Sequence, residues 1–119
     1  MSGPVRVFHC DDSFAFRILV REMLSDFGDV EVIGEADDLG QALTLLPAAA
    51  ADVVLVDLFE QDRPETVLPR LREAAPGARL LLYTGMPAAR VPDGADGHIH
   101  KSVPFDELHG AIVQAAGRS

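Results

Sequence analysis

ADVVLVDLFEQDRPE, residues 51–65, runs through the aliphatic side chains Val53 to Val56 and ends them at a carboxylate, Asp57. A short β-branched and aliphatic run bounded by polar residues reads as a strand buried on both faces. Asp57 then stands where the strand leaves the core. A lone polar residue there ordinarily opens a loop. Its meaning depends on what the rest of the chain brings to the same edge.

The pattern extends in both directions. VRVFHC (5–10) is an apolar strand, and Ser13 to Leu24 carries apolar residues at helical spacing with Gly28 beyond its end. VEVIGEA (30–36) is a second strand, and Leu39, Ala42, Leu43 and Leu46 make a short amphipathic helix that Pro47 is expected to stop. After the central strand the next helix is expected to start near Thr66. That start places Pro69 in a first turn, whose amide donors are unpaired anyway, and Pro76-Gly77 ends the helix. RLLLYT (79–84) is a fourth strand, GHIH (97–100) a fifth, and DELHGAIVQAAG (106–117) a closing helix.

Strands alternating with helices of this size imply parallel βαβ units with helices on both faces, an α/β class. Such sheets hold their functional groups outside the carboxyl ends of the strands. One connection is unusual. Gly85 to Asp96 is close to the minimum for a crossover and contains Gly85, Pro87, Pro92 and Gly94, leaving only Ala88 to Val91 free of breakers. The fourth helix is therefore expected to be a single turn or absent.

The length of 119 residues suits one domain, 1–119, with a single core. A hydrophobic content of 48%, with Pro and Gly spread along the chain, argues against disorder. The net charge of -9 opposes the phosphate backbone of nucleic acid, so direct DNA or RNA binding by this domain is not expected. No apolar run reaches the length of a membrane span, and MSGPVRVFHCDD lacks the basic start and apolar stretch of a signal peptide. A cytoplasmic location is expected, with no membrane contact. Cys10 is the single cysteine and lies in an apolar strand, where a thiol acts as a small hydrophobe.

With the strands so placed, Asp11 and Asp12 follow the first, Asp57 the third, Thr84 closes the fourth and Lys101 follows the fifth. Each has an ordinary explanation alone: Asp12 or Ser13 as a helix N-cap, Thr84 as a strand end, Lys101 as a solvated amine. Together, converging carboxylates repel one another unless a cation neutralises them. Their oxygens are hard ligands, with no Cys or His pair among them, which favours Mg2+ over Zn2+. Phosphoryl transfer is the natural chemistry of such a set. Asp57 would be the nucleophile forming an acyl phosphate, Lys101 would offset charge, and Thr84 would donate a hydrogen bond to a phosphoryl oxygen.

The segments FHCDDS, VVLVD, LLYTG and GADGHIHKS, in this order, resemble the response-regulator receiver domain of two-component signalling over nearly the whole chain. VEVIGEADDLGQAL and Ser102 after Lys101 are most similar to receivers that precede helix-turn-helix output domains. The resemblance implies a flavodoxin-like doubly wound five-stranded parallel sheet of strand order 2-1-3-4-5. It implies Asp57 as phosphoacceptor, with Asp12, Asp57 and the Phe59 carbonyl as direct Mg2+ ligands and Asp11 acting largely through water. Thr84 and Lys101 would sense the phosphoryl group. The implied partner is a histidine kinase or phosphotransfer protein, and the implied role is that of a signalling domain with slow self-dephosphorylation rather than an enzyme.

Departures from the family pattern are specific. LFEQDRPET lacks the usual glycines of the loop after the acceptor, and Phe59 offers a bulky apolar shield for an acyl phosphate. The switch position three before the lysine, usually Tyr or Phe, is His98, which either swings behind Thr84 or faces the surface. His98 and His100 share a strand face, as a solvated pair or a soft-metal pair. Val91, Ile112 and Val113 serve either a homodimer patch or the core. If these residues are the whole protein, the signal leaves through a downstream protein partner. If they are a piece, a DNA-binding output domain lies elsewhere in the chain. The alternative function is a phosphorylation-independent interaction module, supported by the altered loop and weak fourth helix. An aspartate phosphatase is disfavoured because its second Asp is replaced by Phe59, and a flavin site because CDDSFAF lacks phosphate-binding donors.

Overall fold

The computed structural model of the chain describes residues 3–57, 63–87 and 93–117. Its elements in chain order are β1 (Val5–Cys10), α1 (Phe14–Ser25), β2 (Val30–Ala36), α2 (Leu39–Ala49), β3 (Val53–Val56), α3 (Pro64–Ala74), β4 (Arg79–Thr84), β5 (Gly97–His100) and α4 (Phe105–Ala115). The strands form one parallel sheet in the order β2-β1-β3-β4-β5. β3 lies at its centre, and alternation sends Val53 and Leu55 to one face and Val54 and Val56 to the other, all fully buried. α1 and α4 cover the first face through Val20, Leu24, Leu108 and Ile112. α2 and α3 cover the second through Ala42, Leu46, Leu68 and Leu71. Each of the Val, Leu and Ile side chains among these, fully buried, contributes about 2 kcal/mol. Ile112 therefore belongs to the core and Val113 packs against it, while Val91 lies outside the described residues.

β2 carries one extra residue against β1: Val7 pairs with Val32 and Phe8 with Gly34, leaving Ile33 as a bulge. The Phe8 ring fills the space beside Gly34, where a Cβ would meet it at 2.8 Å. Only glycine lets the ring approach the backbone so closely.

The two helices whose bounds were expected from proline positions differ from the expectation. α2 does not stop at Pro47 but runs to Ala49 and closes with Ala50 in the left-handed region, φ 52°. Proline removes one amide donor there, and the end of the helix is satisfied from outside instead. Arg6 donates from Nε to the Ala50 carbonyl and from Nη2 to the Ala49 carbonyl, both at 3.0 Å, placing a cation on the negative end of the helix. α3 starts at Pro64 rather than near Thr66, because Pro64 itself suits the first helical position. Pro69 consequently lies beyond the first turn, inside the helix. Its missing hydrogen bond is offset by the burial of Val67, Leu68 and Leu71 on the sheet.

Between β4 and β5 the described residues, 85–87 and 93–96, form turns and bends and no helix. Ala88 to Val91, where a single turn was expected, lie outside them. Among the described residues no helix is long and apolar enough to cross a membrane.

Candidate functional site

Three site residues are fixed by regular backbone rather than by loops. The Asp11 amide donates to the Ala36 carbonyl at 3.0 Å, the Asp57 amide to Cys10 at 2.9 Å and the Lys101 amide to Thr84 at 3.0 Å. Each bond continues a strand pairing by one residue, so the parallel sheet delivers these side chains to one edge. Asp11 is fully buried and Asp12 beside it is exposed. Oxygen atoms of Asp11, Asp12 and Asp57 lie within 4.8 Å of one another.

The cation that holds this cluster is a side chain. Lys101 Nζ donates to Asp11 Oδ2 and to Asp57 Oδ2, both at 2.7 Å. Burial alone would lower the lysine pKa, but the hydrogen bonds to Asp11 and Asp57 and their charges outweigh it and raise the pKa above the ordinary lysine value. The ammonium also lies 4.5 Å from the centre of the Phe16 ring, a cation–π contact. Asp11 Oδ1 accepts from the Ser13 amide at 2.8 Å, so both carboxylate oxygens of Asp11 are engaged. Ser13, not Asp12, caps α1, its Oγ accepting from the Phe16 amide at 3.2 Å. The Asp12 carboxylate is left without a hydrogen bond or ion pair among the described residues. Hard carboxylate oxygens, one of the carboxylates open to solvent, and no thiolate or imidazole in the trio fit Mg2+.

Thr84 is buried at the end of β4, and its hydroxyl oxygen accepts from the Met86 amide at 3.3 Å. Its register partner on β5 is His100, whereas His98 pairs with Leu82. His98 is half-buried, with Nε2 buried and without a hydrogen-bond partner among the described residues. His100 joins the two loops of this edge. The Ser102 amide donates to its Nδ1 at 3.0 Å, which assigns the ring proton to Nε2, and Nε2 donates to the Gly85 carbonyl at 3.1 Å. Phe59 lies outside the described residues.

Below the carboxylates sits a layer that sequence reading missed. His9 and Tyr83 are fully buried, and with Phe16 they form a ring cluster with centroids 5.6 to 6.2 Å apart. His9 Nε2 lies 3.8 Å from Asp11 Oδ2, beyond hydrogen-bond range, and neither ring nitrogen has a partner among the described residues. Burial drives the His9 pKa down to about 4 against the pull of Asp11, so the ring is neutral. Burial and the Asp11 charge push the Tyr83 phenol up to about 12, and likewise the Cys10 thiol to about 12. Arg17 reaches the same place from α1, donating from Nη1 to the Asp11 carbonyl at 2.6 Å. Strand alternation carried the signal for His9, two residues before Asp11 and on the same face.

No family model matches the chain. It is 30% identical over 122 residues to the DNA-binding transcriptional activator DevR/DosR of Mycobacterium tuberculosis, which covers 97% of this chain and 56% of that protein. It is 28% identical over 120 residues to the nitrate/nitrite response regulator protein NarL of Escherichia coli, covering 95% of this chain and 55% of that protein. The chain thus spans about half the length of these curated relatives. Among solved structures, the signal receiver domain of the putative response regulator NarL from Mycobacterium tuberculosis superposes with a TM-score of 0.85 at 33% identity over 98% of both chains. A LuxR-family two-component response regulator from Aurantimonas sp. gives 0.83 at 27% identity, covering 98% of this chain and 88% of that one.

Proposed function

This chain belongs to the receiver-domain family of two-component response regulators, and we propose that within it Asp57 accepts a phosphoryl group from a phosphohistidine on a kinase or phosphotransfer protein. The observation that carries the reading is the bridge from Lys101 Nζ to Asp11 and Asp57, 2.7 Å to each. It puts a nucleophilic carboxylate, a second carboxylate and a fixed ammonium at one sheet edge.

In the transfer, an Asp57 carboxylate oxygen forms the new O–P bond while the P–N bond to the donor imidazole breaks and its electron pair stays on the ring nitrogen. Asp12 and Asp57, with the Phe59 carbonyl, would hold Mg2+ directly, and Asp11 would act largely through water. When bound, the ion supplies neutralisation of phosphoryl-oxygen charge. The Lys101 ammonium, already beside Asp57, pairs with an oxygen of the incoming group. The Thr84 hydroxyl donates to another, drawing the end of β4 toward Asp57. His98 is the ring that answers this movement, and its buried Nε2, without a partner among the described residues, supports a position open to rearrangement.

The donor's approach is supported by α1, where Phe14 and Ile18, one turn apart, are 68% and 40% exposed beside the acidic edge. A helix carrying the phosphohistidine would cover them. Receivers are signalling domains rather than enzymes, and return to the unmodified state would be slow hydrolysis at Asp57. DNA binding and transcriptional activation are named for DevR/DosR, of which the chain spans 56%, and the charge of -9 opposes binding of this domain to a phosphate backbone.

Borohydride trapping tests the assignment. Protein treated with a small acyl phosphate and Mg2+ and then reduced should yield homoserine at position 57, read by peptide mass. Label at another residue, or label that persists in Asp57→Asn, would overturn it.

A further inference from the structure

We propose that Arg17 is a positioning residue for the cation site: by holding the Asp11 carbonyl it fixes the peptide plane from which the Asp12 carboxylate is aimed. The proposal rests on the reading of Asp11, Asp12 and Asp57 as a Mg2+ site and deepens it.

Asp12 is exposed, and among the described residues no hydrogen bond or ion pair holds its carboxylate, whose oxygen lies within 4.8 Å of oxygens of Asp11 and Asp57. Its direction is therefore set by the backbone that precedes it. The Asp11 carbonyl and the Asp12 amide belong to one rigid plane, so fixing the first orients the second. On one side of that plane the Asp11 amide is tied to the Ala36 carbonyl at 3.0 Å. On the other, Arg17 Nη1 donates to the Asp11 carbonyl at 2.6 Å. Without Arg17 the turn itself keeps only the Ser13 amide's bond to Asp11 Oδ1 at 2.8 Å, the Asp11 carbonyl loses its partner, and an unsupported carboxylate shifts with the loosened peptide.

Arg17 is itself held. Its side chain is 11% exposed, its Nε donates to Glu35 Oε1 at 3.1 Å, and its guanidinium lies 5.6 Å from the Phe14 ring centre. The other oxygen of Glu35 accepts from Arg21 Nε at 2.6 Å. A line of Arg21, Glu35 and Arg17 thus ties α1 and β2 to the acidic turn. The guanidinium serves partners on two elements through two nitrogens of one rigid fork, a task that the single ammonium of lysine does not reproduce.

Electrostatics makes the idea decidable by sign. A guanidinium beside a cation site repels the cation, so its removal tightens Mg2+ binding if charge is its only role. Loss of an orienting partner does the reverse and typically weakens metal affinity by about 10- to 100-fold. Arg17→Gln removes the charge and the fork, while Arg17→Lys keeps the charge and loses the fork.

The experiment is calorimetric titration of Mg2+ into the parent chain and both variants, with melting of each metal-free protein alongside. The proposal expects both variants to bind Mg2+ at least about 10-fold more weakly while remaining folded. Phosphoryl adduct formation in them should recover at raised Mg2+, because Asp57 is untouched. Unchanged affinity in Arg17→Lys with unchanged or tighter binding in Arg17→Gln overturns the proposal and leaves the cation site standing. Failure of the parent to bind Mg2+ overturns the cation reading itself, and the proposal with it. If Arg17→Gln does not fold, Arg17→Lys alone decides by the same criterion.

Discussion

Replacing His9 by leucine should make the fold less sensitive to mild acid. The imidazole is fully buried beside Asp11, and burial holds its pKa near 4 instead of the ordinary 6.5. In the unfolded chain the same ring takes a proton near its ordinary value. Between these two values the unfolded state binds the extra proton, so stability is intact above about pH 6.5 and falls as the pH drops toward about 4. The full span is worth about 3 kcal/mol, of which about 2 kcal/mol is lost between roughly pH 7.5 and pH 5. The carboxylates are common to parent and variant, so comparing the two cancels most of their acid-linked contribution. The assay is urea unfolding followed by circular dichroism in the presence of a chelator, at both ends of that range. The stability of His9→Leu relative to the parent should rise by about 2 kcal/mol on going to the lower pH. At neutral pH the variant should be no less stable, since it removes two ring nitrogens that lack partners among the described residues. Parallel stability curves for the two proteins would refute the reasoning.

Lys101→Met leaves the buried Asp11 facing Asp57 without its ammonium, and should cost about 2 kcal/mol in metal-free protein, a figure reduced because Lys101 is partly exposed. Added Mg2+ should restore much of the loss, as read by thermal melting with and without chelator. Gly34→Ala places a methyl group 2.8 Å from the Phe8 ring carbons. Denaturant melts should show a loss of about 1 to 3 kcal/mol from the forced shift. The Cys10 thiol, fully buried with a pKa pushed up to about 12, should resist alkylation at neutral pH and react only as the fold opens, so its labelling rate should rise with urea. The Asp29 carboxyl is held below its ordinary value by the hydrogen bond with His109, 2.7 Å long. That contribution is present above the ordinary carboxylate pKa and lost as the pH falls through the depressed one. In Asp29→Asn the corresponding acid limb of the melting curve should disappear.

The central strand was legible because burial on both faces leaves no polar residue inside it, as Val53 to Val56 show, and the apolar runs of β1, β2 and β4 repeat it with a few polar interruptions. With the strands placed, Asp11, Asp57, Thr84 and Lys101 had to fall at one edge, and the sheet brings them there. Helix ends were less legible because proline is judged by local cost alone. At Pro47 the distant Arg6 supplies the end of the helix, and at Pro69 the burial of the neighbouring apolar residues decides. The bridging role of Lys101 depends on distances that no pattern encodes. Arg17 was missed for a related reason, since its partner Glu35 lies on another element, whereas His9 was legible by alternation with Asp11 and was passed over as one more residue of an apolar strand. Register also separates the two strand histidines, since Thr84 faces His100 and not His98.

The central claim is a phosphorylatable aspartate at position 57, and intact mass measures it most directly. The protein is incubated with Mg2+ and a small acyl-phosphate donor, beside a chelated sample and Asp57→Asn. The account predicts a single phosphoryl adduct in the parent that is absent from both controls. A folded parent that stays unmodified would contradict it and favour a module that binds its partner without phosphorylation, and an adduct that survives in Asp57→Asn would contradict it by placing the acceptor at another residue.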